Sequence, residues 1–89
     1  RDIKKEEIEM ERTTTKKAIK KAIEDSGIKQ FQIAEKLGIT QATVSNSINR
    51  PRIGIDVFIS MMDAMGYAVV VGKIEKDSFV PIWELEREQ

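Results

Sequence analysis

The chain has no cysteine and no histidine among its 89 residues. Without cysteine there is no disulfide framework and no thiolate metal site, and the sequence suits a reducing, cytoplasmic compartment. Without histidine, the commonest general acid/base and the commonest metal ligand are missing together. No apolar run approaches the roughly 18–20 residues of a membrane span and no stretch reads as a signal peptide, so no membrane partner is expected. The length allows one small domain with a modest core, too small for a deep substrate cavity. Proline occurs only at Pro51 and Pro81, where it acts as local punctuation. These absences predict a non-catalytic domain with no cofactor and no metal.

What is present is charge, unevenly placed. Charged residues make up 34% of the chain and hydrophobic ones 40%, a soluble globular mixture with a formal net charge of zero. Residues 1–12 hold four basic and five acidic side chains, residues 13–53 eight basic and three acidic, and residues 54–89 three basic and seven acidic. The middle of the chain is therefore basic and its end acidic, an asymmetry that points to a polyanion partner.

Hydrophobic periodicity divides the chain further. Residues 1–12, "RDIKKEEIEMER", have only Ile3, Ile8 and Met10 to bury, which predicts a charged tail or helical extension. In "TTTKKAIKKAIEDSG", about 100° per residue puts Lys16, Lys17, Lys20 and Lys21 within one arc of roughly 140°. Ala18, Ile19, Ala22 and Ile23 fill the opposite arc, so a helix over 14–26 has one basic and one buried face. One of Thr13 to Thr15 caps it and Gly27 closes it. "KQFQIAEKLG" predicts a second helix over 30–37 with Phe31, Ile33, Ala34 and Leu37 as its apolar set. Thr40 caps a third, 41–49, carrying Ala42, Val44 and Ile48. The connection between the second and third is about three residues, which suits two helices crossing steeply through a Gly-containing turn, a helix-turn-helix.

"RPRIG" breaks the pattern, and "IDVFISMMDAMG" predicts a fourth helix over 55–65, with Asp56 favoured by the helix dipole and Phe58, Met61, Met62 and Met65 filling the core. From Tyr67 the period changes. "YAVVVGKIE" and "FVPIWELE" are β-branched and aromatic around a turn-like "KDS", giving a β-hairpin at about 67–75 and 78–86. Pro81 lacks the N–H of a central strand, so the second strand has a free edge there. Strict alternation puts Val69 and Val71 opposite Val70 and Ile74, and Phe79, Trp83 and Leu85 opposite Val80 and Ile82. Both faces are therefore apolar, and one needs a partner.

The longest neutral run, Leu37 to Asn49, lies between Lys36 and Arg50 and carries two Thr, two Ser, one Gln and two Asn. "QFQIAEKLGITQATVSNSIN" (Gln30–Asn49) resembles the helix-turn-helix of lambda-repressor/Cro-like regulators, the XRE family. The shared pattern is Gln, then Ile-Ala, a Gly four residues after that Ala, a polar cap, a β-branched core residue and Ser-Asn. The resemblance extends loosely over 13–66. It implies a mainly α fold, a four-helix lambda-repressor-like domain followed by a C-terminal β-hairpin over 67–86. Ala34 is then small because the recognition helix packs across it, Gly38 provides the turn, and Ile33, Val44 and Ile48 lock the two helices.

The resemblance further implies that the helix over 41–49 enters the major groove of double-stranded DNA. Gln41, Ala42, Thr43 and Asn46 take the base-reading positions, with the Gln41 amide suited to adenine and the Ala42 and Thr43 methyls to thymine. Gln30 matches a phosphate-holding position that buttresses the first recognition Gln. Thr40, Ser45, Asn49, Arg50 and Arg52 lie at or near the backbone, Ser45 either on phosphate or capping internally, and one or two helix-one lysines, Lys17 foremost, reach phosphate. Two positions depart from the family pattern: Lys29 stands where a Ser or Thr usually caps, and Arg50 where Gly is common. The hairpin resembles the C-terminal β-extension of some Cro proteins and HipB-like antitoxins. Val69, Val71, Ile82 and Trp83 are accordingly expected in a homodimer interface. The expected function is a dimeric, sequence-specific DNA-binding regulator, a repressor of bacterial or phage type on a pseudo-palindromic operator. The alternatives are an antitoxin that also holds a protein toxin, and a helix-turn-helix used only as a protein-docking scaffold.

Overall fold

A computed structural model describes residues 12–88, so the charged segment expected over 1–12 lies, Arg12 apart, outside the described residues. The chain forms four helices and then a two-stranded antiparallel hairpin: α1 Thr15–Ser26, α2 Gln30–Leu37, α3 Gln41–Asn49, α4 Ile55–Ala64, β1 Val70–Glu75 and β2 Ser78–Glu84. Of the three candidate threonines, Thr14 caps α1, its hydroxyl accepting from the Lys17 N–H at 3.2 Å. The α2–α3 turn depends on Gly38, whose φ of 70° is a left-handed conformation that a side chain disfavours. With Gly38 so placed, the Ile39 N–H reaches back to the Ala34 carbonyl at 3.0 Å and satisfies an end of α2. Gly27 and Gly66 close α1 and α4 with the same hand.

The core lies where the helices meet. Ile19 of α1, Ile33 of α2, Val44 of α3 and Met61 of α4 have no measurable exposure, and Ala22, Ala34, Ile48, Phe58, Met62 and Met65 close around them. Each large side chain buried in this way stabilises the fold by about 1.5–3 kcal/mol. Phe31 corrects the sequence expectation: it is exposed, while Ile33, Ala34 and the partly buried Leu37 make the inner face of α2. At about 100° per residue Phe31 and Ile33 stand roughly 200° apart, so a single helix face cannot bury both.

The chain returns to α4 at its end. The Glu88 N–H donates to Asp56 Oδ1 at 3.1 Å, and the Arg87 guanidinium donates to Ser60 Oγ at 3.4 Å. Between these points the hairpin projects from the helices, its strands packing on each other far more than on the core. Its strands are shorter than expected because Tyr67 is held by the end of α4, its N–H on the Met62 carbonyl at 2.8 Å, and Val69 packs on the core.

The hairpin is not regular. Val71 pairs with Trp83 but the next residue, Gly72, pairs with Pro81, so Ile82 is an extra residue bulged out of β2. The bulge breaks the alternation read from the sequence. Phe79 pairs with Ile74 and Trp83 with Val71, three residues apart on a regular strand, so Phe79 and Trp83 fall on opposite faces. Gly72 is required here: a Cβ at that position would overlap the Phe79 ring and lie 2.7 Å from the Val80 carbonyl oxygen.

The two-residue turn Lys76–Asp77 places Lys76 at a φ of 58°. Lys76→Gly is expected to stabilise the protein by about 0.5–1 kcal/mol, the relief of left-handed strain exceeding the entropy gained by the unfolded chain. A thermal melt reads this as a midpoint raised by several degrees.

Candidate nucleic-acid interface

Helix α3 has two unlike sides. Val44, Ser47 and Ile48 are buried, whereas Gln41, Ala42, Thr43, Asn46 and Asn49 are exposed and Ser45 is half-buried. Thr40 starts the helix: its hydroxyl accepts from the Thr43 N–H at 3.1 Å and lies 2.8 Å from the Thr43 hydroxyl. The Thr43 hydroxyl is thus occupied within the cap. At the other end the Asn49 amide donates to the Ser45 carbonyl at 2.9 Å and to Ser45 Oγ at 3.4 Å. Ser45 accepts that bond, so its own hydroxyl proton remains available to an outside acceptor. Among the described residues no hydrogen bond engages the Gln41 or Asn46 side-chain amides, which face solvent with donor and acceptor both unused.

Both departures from the expected pattern have structural explanations. Lys29 offers no side-chain oxygen to α2, but its backbone N–H donates to Gln32 Oε1 at 2.9 Å, so Gln32 supplies the reciprocal half of the missing cap. Arg50 ends α3 in an extended conformation, φ −67° and ψ 150°, and needs no glycine there. Pro51 disfavours helical geometry in the residue before it, which sets that conformation.

Several cations of the helical part of the chain are exposed. Lys29, Arg50 and Arg52 are exposed, Gln30 is half-buried at the first turn of α2, and Lys17 is exposed on α1. Ion pairs among the described residues lie elsewhere: Lys21 with Asp25 at 3.5 Å and Glu24 at 3.7 Å, and Lys73 with Glu75 at 3.4 Å. The Asp25 carboxylate, then Glu24, raises the Lys21 pKa above its ordinary value, so this ammonium is committed to its own helix. Of the four α1 lysines, Lys16 is half-buried, which leaves Lys17 and Lys20 as the exposed, uncommitted pair. The expected interface residues of the hairpin divide: Val69 is half-buried against the core, while Val71, Ile82 and Trp83 are exposed, Trp83 by 65%.

Sequence reading missed the exposure of Phe31, 53% accessible beside Gln30, and the angle between Phe31 and Ile33 is the signal that could have found it. A shallow groove of about 330 Å³ lies between α4 and the base of the hairpin, lined in part by Lys36, Asp63, Tyr67, Glu84 and Arg87. The Lys36 ammonium is spent on the Ala64 carbonyl at 3.1 Å. Among the described residues no cluster of acidic side chains could hold a metal ion, and no helix is long and apolar enough to cross a membrane. No protein-family model, curated protein or solved structure matches the chain.

Thr40→Ala removes both the cap of α3 and the partner of the Thr43 hydroxyl. It is expected to lower stability by about 1 kcal/mol, read as a lower urea midpoint with unchanged slope. Ser45→Ala, whose hydroxyl only accepts a long bond from Asn49, is expected to stay within about 0.5 kcal/mol of the parent.

Proposed function

We propose that the protein is a sequence-specific DNA-binding regulator of lambda-repressor-like type, which inserts α3 into the major groove and binds a pseudo-palindromic site as a homodimer. The observation that carries this reading is the exposed face of α3: uncharged, polar, seated by α2 across the Gly38 turn, and followed in the chain by the exposed Arg50 and Arg52. A charged helix adheres to any phosphate backbone, whereas amides and methyls discriminate between base pairs. Gln41 and Asn46 each can donate to and accept from one adenine edge, and Ala42 packs on a thymine methyl. Thr43, its hydroxyl held by Thr40, contributes its methyl. Lys29, Arg50, Arg52 and Lys17 hold phosphates, with Gln30 and the Ser45 hydroxyl as neutral donors. The acidic charge of residues 54–89 belongs to α4 and the hairpin, away from the reading helix in the chain. The regulator represses by occupying its operator.

A second reading, an antitoxin that binds its operator and a protein toxin, is favoured by one observation. The hairpin exposes apolar side chains on both faces, Val71, Val80 and Trp83 on one and Val70 and Ile74 on the other. A face left over after self-association suits a protein partner.

Selection of binding sites from random DNA tests the main reading, and a two-fold consensus is the expected result. Gln41→Ala should relax the preference at one or two positions of each half-site, by about 1–3 kcal/mol. Arg52→Ala should instead weaken all sequences alike and lower the salt slope by about one. An unchanged consensus in the Gln41→Ala protein would falsify the proposed docking of α3.

A further inference from the structure

The sequence of residues 6–11, "EEIEME", combines two unlike signals that the reading of α3 does not use. Ile8 and Met10 are apolar, and they stand among four carboxylates, Glu6, Glu7, Glu9 and Glu11, with no cation between them. A stretch so short and so charged cannot build a core of its own. The surface that suits it is apolar in its floor and basic at its rim. A second groove, of about 390 Å³, runs along α1 between that helix and the end of α4. Ala18, Ala22 and Met62 give it an apolar floor, beside a Tyr67 that is 40% exposed. Lys17, Lys21 and Asp25 form its rim, each four residues from the next and so in one row along the helix. Lys21 is held by Asp25 at 3.5 Å, whereas Lys17 has no ion pair among the described residues. Thr13 lines the same groove, so the chain enters the described fold at the groove's own edge.

We infer that residues 6–11 of the same chain dock in this groove, with Ile8 and Met10 against Ala18, Ala22 and Tyr67 and the glutamates beside Lys17. Reach allows it: Lys17 to Asp25 is about 12 Å along α1, and six residues of extended chain cover about 20 Å. Charge favours it, because the segment brings four carboxylates to the basic face of α1, where Lys16, Lys17 and Lys20 have no ion pair among the described residues. Tethering favours it over a second copy. A segment joined at Thr13 meets the groove at an effective concentration of about a millimolar, which a separate chain at micromolar concentration does not match. The docking stands on the groove and the segment alone. One consequence rests on the DNA reading proposed above: docked glutamates compete with phosphate for Lys17, so the segment acts as a brake on DNA binding.

The test is nuclear magnetic resonance of the isotopically labelled full chain. Nuclear Overhauser contacts are expected from the Ile8 and Met10 methyls to the Ala18 and Ala22 methyls and the Tyr67 ring. In the chain carrying Ile8→Gln and Met10→Gln, which leaves the helical core untouched, the Ala22 methyl and Tyr67 ring resonances should shift. Ile8 and Met10 at random-coil shifts, without those contacts, overturn the docking. Contacts seen only between labelled and unlabelled copies assign the groove to a second molecule and overturn it as well. The same double variant changes no charge, so on the DNA site selected by the parent it should steepen the salt dependence by about one phosphate contact as Lys17 is released. An unchanged slope overturns the competition for Lys17. Failure of both chains to select any site overturns the DNA reading, while the resonance contacts still decide the docking.

Discussion

The packing of α2 against α3 across a three-residue turn is the constraint on which the rest of the molecule depends. Ala34 and Ile33 on one helix meet Val44 and Ile48 on the other, all nearly inaccessible. Gly38, left-handed, turns the chain within a distance that a longer or stiffer connection would not allow. Because this seam is buried, its packing sets the rotation of α3 about its own axis. Its outer side is set by the same packing as its inner side, although none of the described residues covers it. A side chain larger than Ala34 would lift α3 and turn its exposed face, which makes a core methyl a determinant of surface geometry.

Fixing the helix lets its polar groups divide their work. The hydroxyls near the ends are used internally, Thr40 and Thr43 at the start, Ser45 with Asn49 at the finish. The amides between, Gln41 and Asn46, are left with full hydrogen-bonding capacity. Under the proposed function this is the useful arrangement, since a cap that ordered the helix by consuming its amides would leave nothing to read bases. The cations follow a similar division. Lys21 and Lys36 are tied to groups of the protein itself, while Lys17, Lys20, Lys29, Arg50 and Arg52 remain exposed.

The hairpin obeys a different logic. It is anchored at its base, by Val69 on the core and by Arg87 and Glu88 on α4, and beyond that base it has little core of its own. Two strands alone are marginal in water. The bulge at Ile82 brings Val71, Val80 and Trp83 onto one face, while Gly72 under Phe79 shapes the other. Under the proposed function an element so exposed is completed by association in the homodimer.

Much of the fold was legible in the sequence. The helix spacing, the caps and the left-handed glycines are local features, decided by residues within a turn or two of one another, and they placed the four helices to within about a residue at each end. The outer residues of α3 were legible for the same reason, because Val44 and Ile48 define the inner side and the opposite side follows from 3.6 residues per turn. Other features depended on residues far apart in the chain. Phe31 and Ile33 are equally apolar, and only the packing of α2 on its neighbours decided which faces in. The bulge exists because β2 must fit one extra residue against β1, and no alternation within either strand reveals it. The Lys36 ammonium is taken up by a long reach, to the Ala64 carbonyl at the end of α4. Local periodicity thus determined what each element is and which way it must turn. Tertiary packing decided strand register and which of several apolar side chains is buried, because those are set by surfaces that meet only when the chain has folded.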